Sequence, residues 1–334
     1  MPNLVLKMKK ILLVLTVMVS LLALTVVPSS NITEEAQERY LNHYDGDLSF
    51  RRFDGLFSTA YAEGTFGTGV AIPIPLEDQV GRKANPANYT ENGYEDASIK
   101  VRIENGRYKE ANYHVAYIQI ADPSQLRTGV SGKVTGSKTI QVSDFAPKLN
   151  AIVAINGDFY TKLNVGYIVR QGSVLRKKVS NSLDALLIDD QGDFHIVTAK
   201  GKAQGEEIKA IQEKNEIVNS FAFGPALVID GQAQKIADNY QFAVNYKNPR
   251  VAIAQMDKLS YAFIMVEGRS DESGGVTAAE LAEICVGLKA KQAYNLDGGN
   301  SAVLYFKDGL YIQRSKENER FVSDIIYFST AVME

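Results

Sequence analysis

Thr277-Ala-Ala-Glu-Leu-Ala-Glu-Ile-Cys-Val-Gly-Leu-Lys-Ala-Lys-Gln-Ala-Tyr-Asn-Leu-Asp-Gly-Gly299 reads as a helix, a strand and a loop in immediate succession. Thr277 with Glu280 makes a capping box, in which the threonine oxygen and the glutamate serve free amides of the first helical turn. Leu281, Ile284, Cys285 and Leu288 then fall on one face at helical spacing. Cys285 belongs to that apolar face, because nothing basic adjoins it in sequence to activate a thiolate. After Lys291 the pattern becomes that of a strand, Ala293-Tyr-Asn-Leu296, which stops at Asp297-Gly-Gly. A carboxylate at the end of a buried strand is rigidly placed and partly desolvated.

The surrounding sequence is mostly strand. Ile99-Lys-Val-Arg-Ile103 alternates apolar and polar residues, and Tyr113-His-Val-Ala-Tyr-Ile-Gln-Ile120 follows Asn105-Gly106, which predicts a β-hairpin across that dipeptide. Ala151-Ile-Val-Ala-Ile155 is a continuous apolar run and suits a strand buried on both faces. Residues 186–188 and 194–197 flank Asp189-Asp-Gln-Gly192, residues 226–229 run into Asp230-Gly231, and residues 251–255 and 261–266 flank another turn. The expected class is α+β, a strand-rich mixed sheet domain with few helices and no internal repeat.

At the N-terminus, Lys7, Lys9 and Lys10 precede an uninterrupted apolar run over residues 11–27. No small-x-small cleavage site follows it, so an uncleaved membrane anchor is favoured over a removed signal peptide. Positive charge ahead of the run places the rest of the chain outside the cytoplasm, on the extracellular side of the membrane, anchored or secreted. Residues 1–30 are thus expected to be anchor or signal, and the turn-rich residues 31–93 a spacer. Residues 94–334 are expected to form the working domain.

Composition narrows the function. The chain has 334 residues, is 45% hydrophobic and 22% charged, and carries a formal net charge of -3. Without a basic field it has no general attraction for nucleic acid. One cysteine permits no intrachain disulfide, and three histidines make a histidine-rich two-metal centre hard to build. No metal or cofactor is expected, though an oxygen-ligated Ca²⁺ stays open.

Three loops share one design, an apolar strand followed at once by glycine beside a polar or charged residue. They are Asn156-Gly-Asp158, Glu267-Gly-Arg269 and Asp297-Gly-Gly-Asn-Ser301. Any one of them could be a generic turn. Three after core strands point to a site, because sites gather where strands end.

Ala154-Ile-Asn-Gly-Asp-Phe-Tyr160, Phe223-Gly-Pro-Ala-Leu-Val228, Pro249-Arg-Val-Ala-Ile253, Glu267-Gly-Arg269, Gly275-Val-Thr-Ala-Ala-Glu-Leu-Ala282 and Tyr294-Asn-Leu-Asp-Gly-Gly-Asn-Ser301 occur in this order. The set resembles the phosphodiester glycosidase family, with the strongest similarity over residues 151–328. Many bacterial members are labelled exopolysaccharide-biosynthesis proteins. There are departures: Asn300 stands for a glycine, Ala302 for a serine, Asp158 for a common glycine, and Glu267 for a common aspartate.

The resemblance implies hydrolysis of a sugar-1-phosphate diester, with cleavage of the glycosyl C–O bond, in a cell-envelope or extracellular glycopolymer. Such a phosphate is already a good leaving group, so the general acid of an ordinary glycosidase is nearly dispensable. What remains is a cation clamp on the phosphate and a carboxylate at the sugar carbon. Asp297 is the first catalytic candidate, followed by Asp158 and Glu267. Arg250 and Arg269 suit the clamp, with Arg170 and Arg320 as further candidates. Asn156, Gly157, Gly298, Gly299, Asn300 and Ser301 complete the expected substrate- and phosphate-binding set. Two rival readings are a non-catalytic glycan-binding module and a metal-dependent phosphodiesterase.

Overall fold

Alternating burial builds the first sheet. In the computed structural model, which describes residues 66, 71–130, 139–198, 200–313 and 319–333, Ile99, Val101 and Ile103 turn inward while Lys100 points to solvent. Strand β1 (Gly93–Glu95) leads into β2 (Ile99–Tyr108) and β3 (Ala111–Ile120). The β2–β3 turn is not at Asn105-Gly106. Those residues continue the ladder, with Gly106 opposite Tyr113, and the chain reverses at Lys109-Glu110, where Lys109 has a φ of 50°. Gly106 is needed for a different reason: a Cβ there would collide with the Tyr113 ring.

The remaining strands are β4 (Leu126–Val130), β5 (Val153–Asn156), β6 (Tyr167–Arg170), β7 (Ser173–Lys177), β8 (Ala185–Asp189), β9 (Phe194–Val197), β10 (Ile217–Phe221), β11 (Ala226–Ile229), β12 (Gln232–Ala233), β13 (Arg250–Asp257), β14 (Ser260–Val266), β15 (Gln292–Asn295), β16 (Val303–Phe306), β17 (Gly309–Gln313) and β18 (Asp324–Phe328). Three helices occur among the described residues: α1 (Val142–Phe145), α2 (Lys202–Gln212) and α3 (Ala278–Gly287). The capping box at Thr277 and Glu280 is formed as its sequence predicts.

Three sheets result. The first runs β1-β2-β3-β14-β13-β15-β11-β12, the second β7-β6-β10-β8-β9, and the third β17-β16-β5-β18-β4. Every pairing between the described strands is antiparallel, which corrects the expectation of a mixed sheet. The reason lies in α3. It carries the chain from β14 to β15, but β13 lies between them and pairs antiparallel with both.

Inner faces of all three sheets meet in one core, where Ile103 and Phe263 of the first pack with Phe221 of the second and Phe328 of the third. Each outer face is covered by one helix. Leu281, Ile284 and Cys285 of α3 pack on the first sheet, Ile208 of α2 on the second, and Val142 of α1 on the third. Burial pushes the Cys285 thiol up to about 12, so it remains a core residue at neutral pH.

The expected anchor, residues 1–30, lies outside the described residues. So does most of the expected spacer, but its last part is fastened to the body. The Ile72 amide donates to Ala331 O at 3.0 Å, and that of Gly81 to Leu149 O at 3.1 Å. Arg82 binds the carbonyls of Ile72, Pro73 and Ala331. The fully buried guanidinium of Arg127 takes acceptors from Ile74, Pro75 and Asp78 besides Ser124.

Candidate active site

The ends of β5 and β15 come together, one from the third sheet and one from the first. Past β15, the Leu296 amide donates to Val251 O at 2.9 Å and the Asp297 amide to Gly157 O at 3.3 Å. Asn156 locks this seam. Its Nδ2 donates to Asp297 O at 2.6 Å and its Oδ1 accepts from the Val303 amide at 3.3 Å. Asn156, expected to bind substrate, is fully buried and spends its side chain on backbone.

Asp297 itself is only partly buried, with its turn running into a short 3₁₀ segment, Gly299–Ser301. Burial raises its pKa to about 6. The Ser301 hydroxyl, the charge of Arg320 and the Gly298 amide pull the other way, and Asp158 adds to the rise. The Ser301 side chain is as buried as that of Asp158 and supports the charge of Asp297 from inside the protein, so it too is closed to substrate. Gly299 adopts a φ of 60°, and a Cβ at Gly298 would collide with Pro249 O.

Below the seam lies a charge network that the sequence did not announce. Arg170, 2% exposed, contacts Asp324 Oδ2 through Nε and Nη2, both at 2.7 Å, and Asp158 Oδ1 through Nη2 at 3.0 Å. Its guanidinium carbon also lies 4.2 Å from the Phe221 ring centre. Burial works against the charge of Arg170, but Asp324 and Asp158 overcome it and leave its pKa raised. Burial likewise pushes Asp324 well above the usual carboxylate range, against the pull of Arg170 and with Asp158 adding.

This network corrects three site expectations. Asp158 is 1% exposed and also accepts from the amides of Tyr160 at 3.0 Å and Ala222 at 2.9 Å, so it is closed to substrate. Arg170 is equally closed and cannot clamp a phosphate. Gly157 does not open the backbone to a ligand; a Cβ there would fall on the Asp324 carboxylate. Asp324, which anchors the network, is fully buried.

The other two expected arginines behave differently. Arg250 enters β13 with its side chain 3% exposed and surrounded by carbonyls, those of Val276, Ala243, Val244 and Tyr246. Arg269 is exposed and bonded only to neutral oxygens. Asn248 Oδ1 accepts from its Nε at 3.1 Å and Nη2 at 2.5 Å, and Asn300 Oδ1 accepts from Nη1 at 2.8 Å. Neither arginine has a carboxylate partner among the described residues. They also repel each other: burial, with the charge of Arg269 adding, lowers Arg250 to about 10. The Gly299 amide donates to Pro249 O at 2.9 Å, which fixes the Asp297 turn beside this pair.

Arg320 is exposed, close enough to Asp297 to favour its charge, and lies 5.7 Å from the Phe159 ring centre. Glu267 is held by His114, whose Nε2 lies 2.6 Å from Glu267 Oε1. Burial lowers the His114 pKa, with Glu267 opposing, so the ring is neutral at ordinary pH. Glu267 is therefore committed to a strand-to-strand contact. No group of three or more His, Cys, Asp or Glu side chains is placed to hold a metal ion among the described residues.

A protein-family model described as phosphodiester glycosidase matches residues 149–329, more than half of the chain. An SPbeta prophage-derived uncharacterized protein of Bacillus subtilis is 35% identical over 112 residues, which are 33% of this chain and 17% of that one. The chain thus spans about a sixth of that relative's length. Among solved structures, the catalytic domain of zebrafish N-acetylglucosamine-1-phosphodiester alpha-N-acetylglucosaminidase, auto-inhibited by its pro-peptide, is similar with a TM-score of 0.56 and 17% identity, covering 74% of this chain and 87% of that one. A hypothetical protein from Synechocystis gives a TM-score of 0.48 at 17% identity, covering 69% and 62%. The match over residues 149–329 makes this chain a member of the phosphodiester glycosidase family.

Proposed function

We propose that this protein hydrolyses a glycosyl phosphodiester by breaking the bond between the sugar carbon and the bridging oxygen. The observation that carries the reading is the pair Arg250 and Arg269, two neighbouring guanidiniums with no carboxylate partner beside the turn that holds Asp297. Uncompensated cations normally acquire an anion. A phosphodiester fits, since its charge sits next to the bond to be cleaved. Arg269, exposed and held by Asn248 and Asn300, presents its remaining N–H groups, and Arg250 reinforces its charge from within.

Asp297 is the one expected catalytic carboxylate left partly open to solvent and free of an arginine or histidine contact. Above about pH 6 it is ionised and can stabilise positive charge at the sugar carbon or take a proton from attacking water. The departing phosphate needs no acid. Arg320, exposed and close to Asp297, would orient the sugar on the other side. The substrate context that suits this chemistry is an envelope or extracellular glycopolymer on the outer side of a membrane, with the protein anchored or secreted through its N-terminal segment.

Incubation with a panel of sugar-1-phosphodiesters in ¹⁸O water tests the reaction. Label in the free sugar is the expected result. Label in the phosphate would assign a phosphodiesterase instead, and binding without turnover would leave a glycan-binding module.

A further inference from the structure

Two exposed aromatic residues adjoin arginines of the Asp297 site. Tyr246 is 71% exposed and Phe321 57%. The other large apolar side chains exposed among the described residues, such as Val80, Val174 and Met333, are aliphatic and lie elsewhere in the chain. A lone exposed apolar residue needs no explanation. Two exposed aromatics, each tied to an arginine of the same site, do.

Both rings stand on fixed stems. The Tyr246 carbonyl accepts from Arg250 Nη2 at 3.0 Å and from Asn248 Nδ2 at 3.2 Å, and Asn248 in turn grips Arg269. Tyr246 is therefore tied to the cation pair, on the side of the first sheet. Phe321 follows Arg320, whose charge acts on Asp297, and precedes Val322, which exchanges backbone hydrogen bonds with Ile140. It stands on the side of the third sheet, just before β18.

We propose that Tyr246 and Phe321 are stacking platforms for saccharide units on either side of the phosphodiester. A sugar ring offers an apolar C–H face that packs on an aromatic ring, and an aromatic side chain supplies that surface with little conformational freedom to lose. With Tyr246 beyond the phosphate clamp and Phe321 beyond the sugar carbon, the substrate is a polymer held across the cleaved link. The enzyme then cuts within the chain rather than trimming an end. This rests on the hydrolase reading for its reaction.

The test compares phosphodiester-linked glycan polymers built on N-acetylglucosamine, glucose or mannose with the methyl phosphodiesters of the same sugars. Tyr246→Ala and Phe321→Ala should each raise KM for the polymer about 3–10-fold, the range of one aromatic contact, and leave KM for the methyl diester unchanged. Tyr246→Phe and Phe321→Tyr should restore it. Early products of the native protein should be of intermediate length. Equal losses on both substrates, no change on either, or release of single units from an end would overturn the proposal. If the native protein cleaves neither substrate, the hydrolase reading fails on its own. Titration with the polymers then decides the platforms: weaker polymer binding by the alanine variants supports them, and native-like or absent binding sinks them.

Discussion

Asp297→Asn should make the protein more stable and nearly inactive at once. The folded carboxyl has its pKa raised by burial to about 6 from an ordinary 3.8, despite the opposing pull of Ser301, Arg320 and the Gly298 amide. A rise of that size corresponds to about 3 kcal/mol against the ionised form in the folded state. The side chain is partly open to solvent, and asparagine loses the charge-assisted contacts, so about 1–2 kcal/mol is the working figure. Because the folded pKa lies above the unfolded one, this penalty is absent below about pH 4 and grows as pH rises through about 6. Asparagine never ionises and escapes it. The variant should therefore match the native protein near pH 4 and exceed it by about 1–2 kcal/mol near pH 7.5, a melting temperature roughly 2–6 °C higher. Turnover should fall at least ~10²-fold. Native turnover should itself rise with pH, from roughly a tenth of its plateau at pH 5 to roughly nine-tenths at pH 7, following the ionised fraction. Urea titrations at the two pH values, paired with turnover on a sugar-1-phosphodiester, measure all of this. A variant less stable at neutral pH, or equally stabilised at both, refutes the claim that the site holds an unfavourable charge. Full turnover would move the reaction centre to Glu267.

Three further outcomes follow from other parts of the molecule. Arg269→Lys keeps a charge but loses the fork held between Asn248 and Asn300, so turnover and binding of a phosphodiester should fall together, and more than for an aryl glycoside of the same sugar; equal losses at an unchanged melting temperature would remove Arg269 from phosphate recognition. Arg170→Met strands Asp158 and Asp324 in the interior and should cost about 3–5 kcal/mol near neutral pH, with part of the loss recovered on acidification as the carboxylates protonate; a pH-independent loss would show that packing alone was damaged. A chain beginning at Tyr94 loses three of the four residues whose carbonyls accept from buried Arg127 and should unfold at a lower urea concentration by about 3 kcal/mol or more, whereas a midpoint equal to that of a chain beginning at Ala71 would make the strap dispensable.

The readable parts of this fold are those whose cause is local. The helix cap needs only Thr277 and Glu280, three residues apart, and strand β5 needs only its own apolar run. Asn105-Gly106 misleads because the same dipeptide that favours a tight turn also fits beneath an aromatic ring across a ladder, and only the partner strand decides between them. In the candidate site, the place of Asp297 just past the end of a buried strand is legible. Arg170 and Asp158 are not separable from Arg250 and Arg269 by sequence, since all four follow or begin apolar strands. What separates them is Asp324, 154 residues from Arg170, which claims two of the charges for the interior. The signal that could have found it is its own setting, a carboxylate immediately ahead of the apolar run Ile325-Ile-Tyr-Phe328. Residues 71–93 look aperiodic for a related reason, as much of their binding runs through backbone amides and carbonyls, which leave no side-chain pattern.

Gly157 and Asp324 occupy, between them, room for only one side chain. The carboxylate fills the space that a methyl group at 157 would take, and Arg170 holds it there. The two positions are therefore free to vary only as a pair: a relative with any side chain at the first should carry something shorter than aspartate at the second, which would leave the buried arginine to Asp158 alone. Residues in two distant segments would change in concert while the Asp297 turn beside them stays the same.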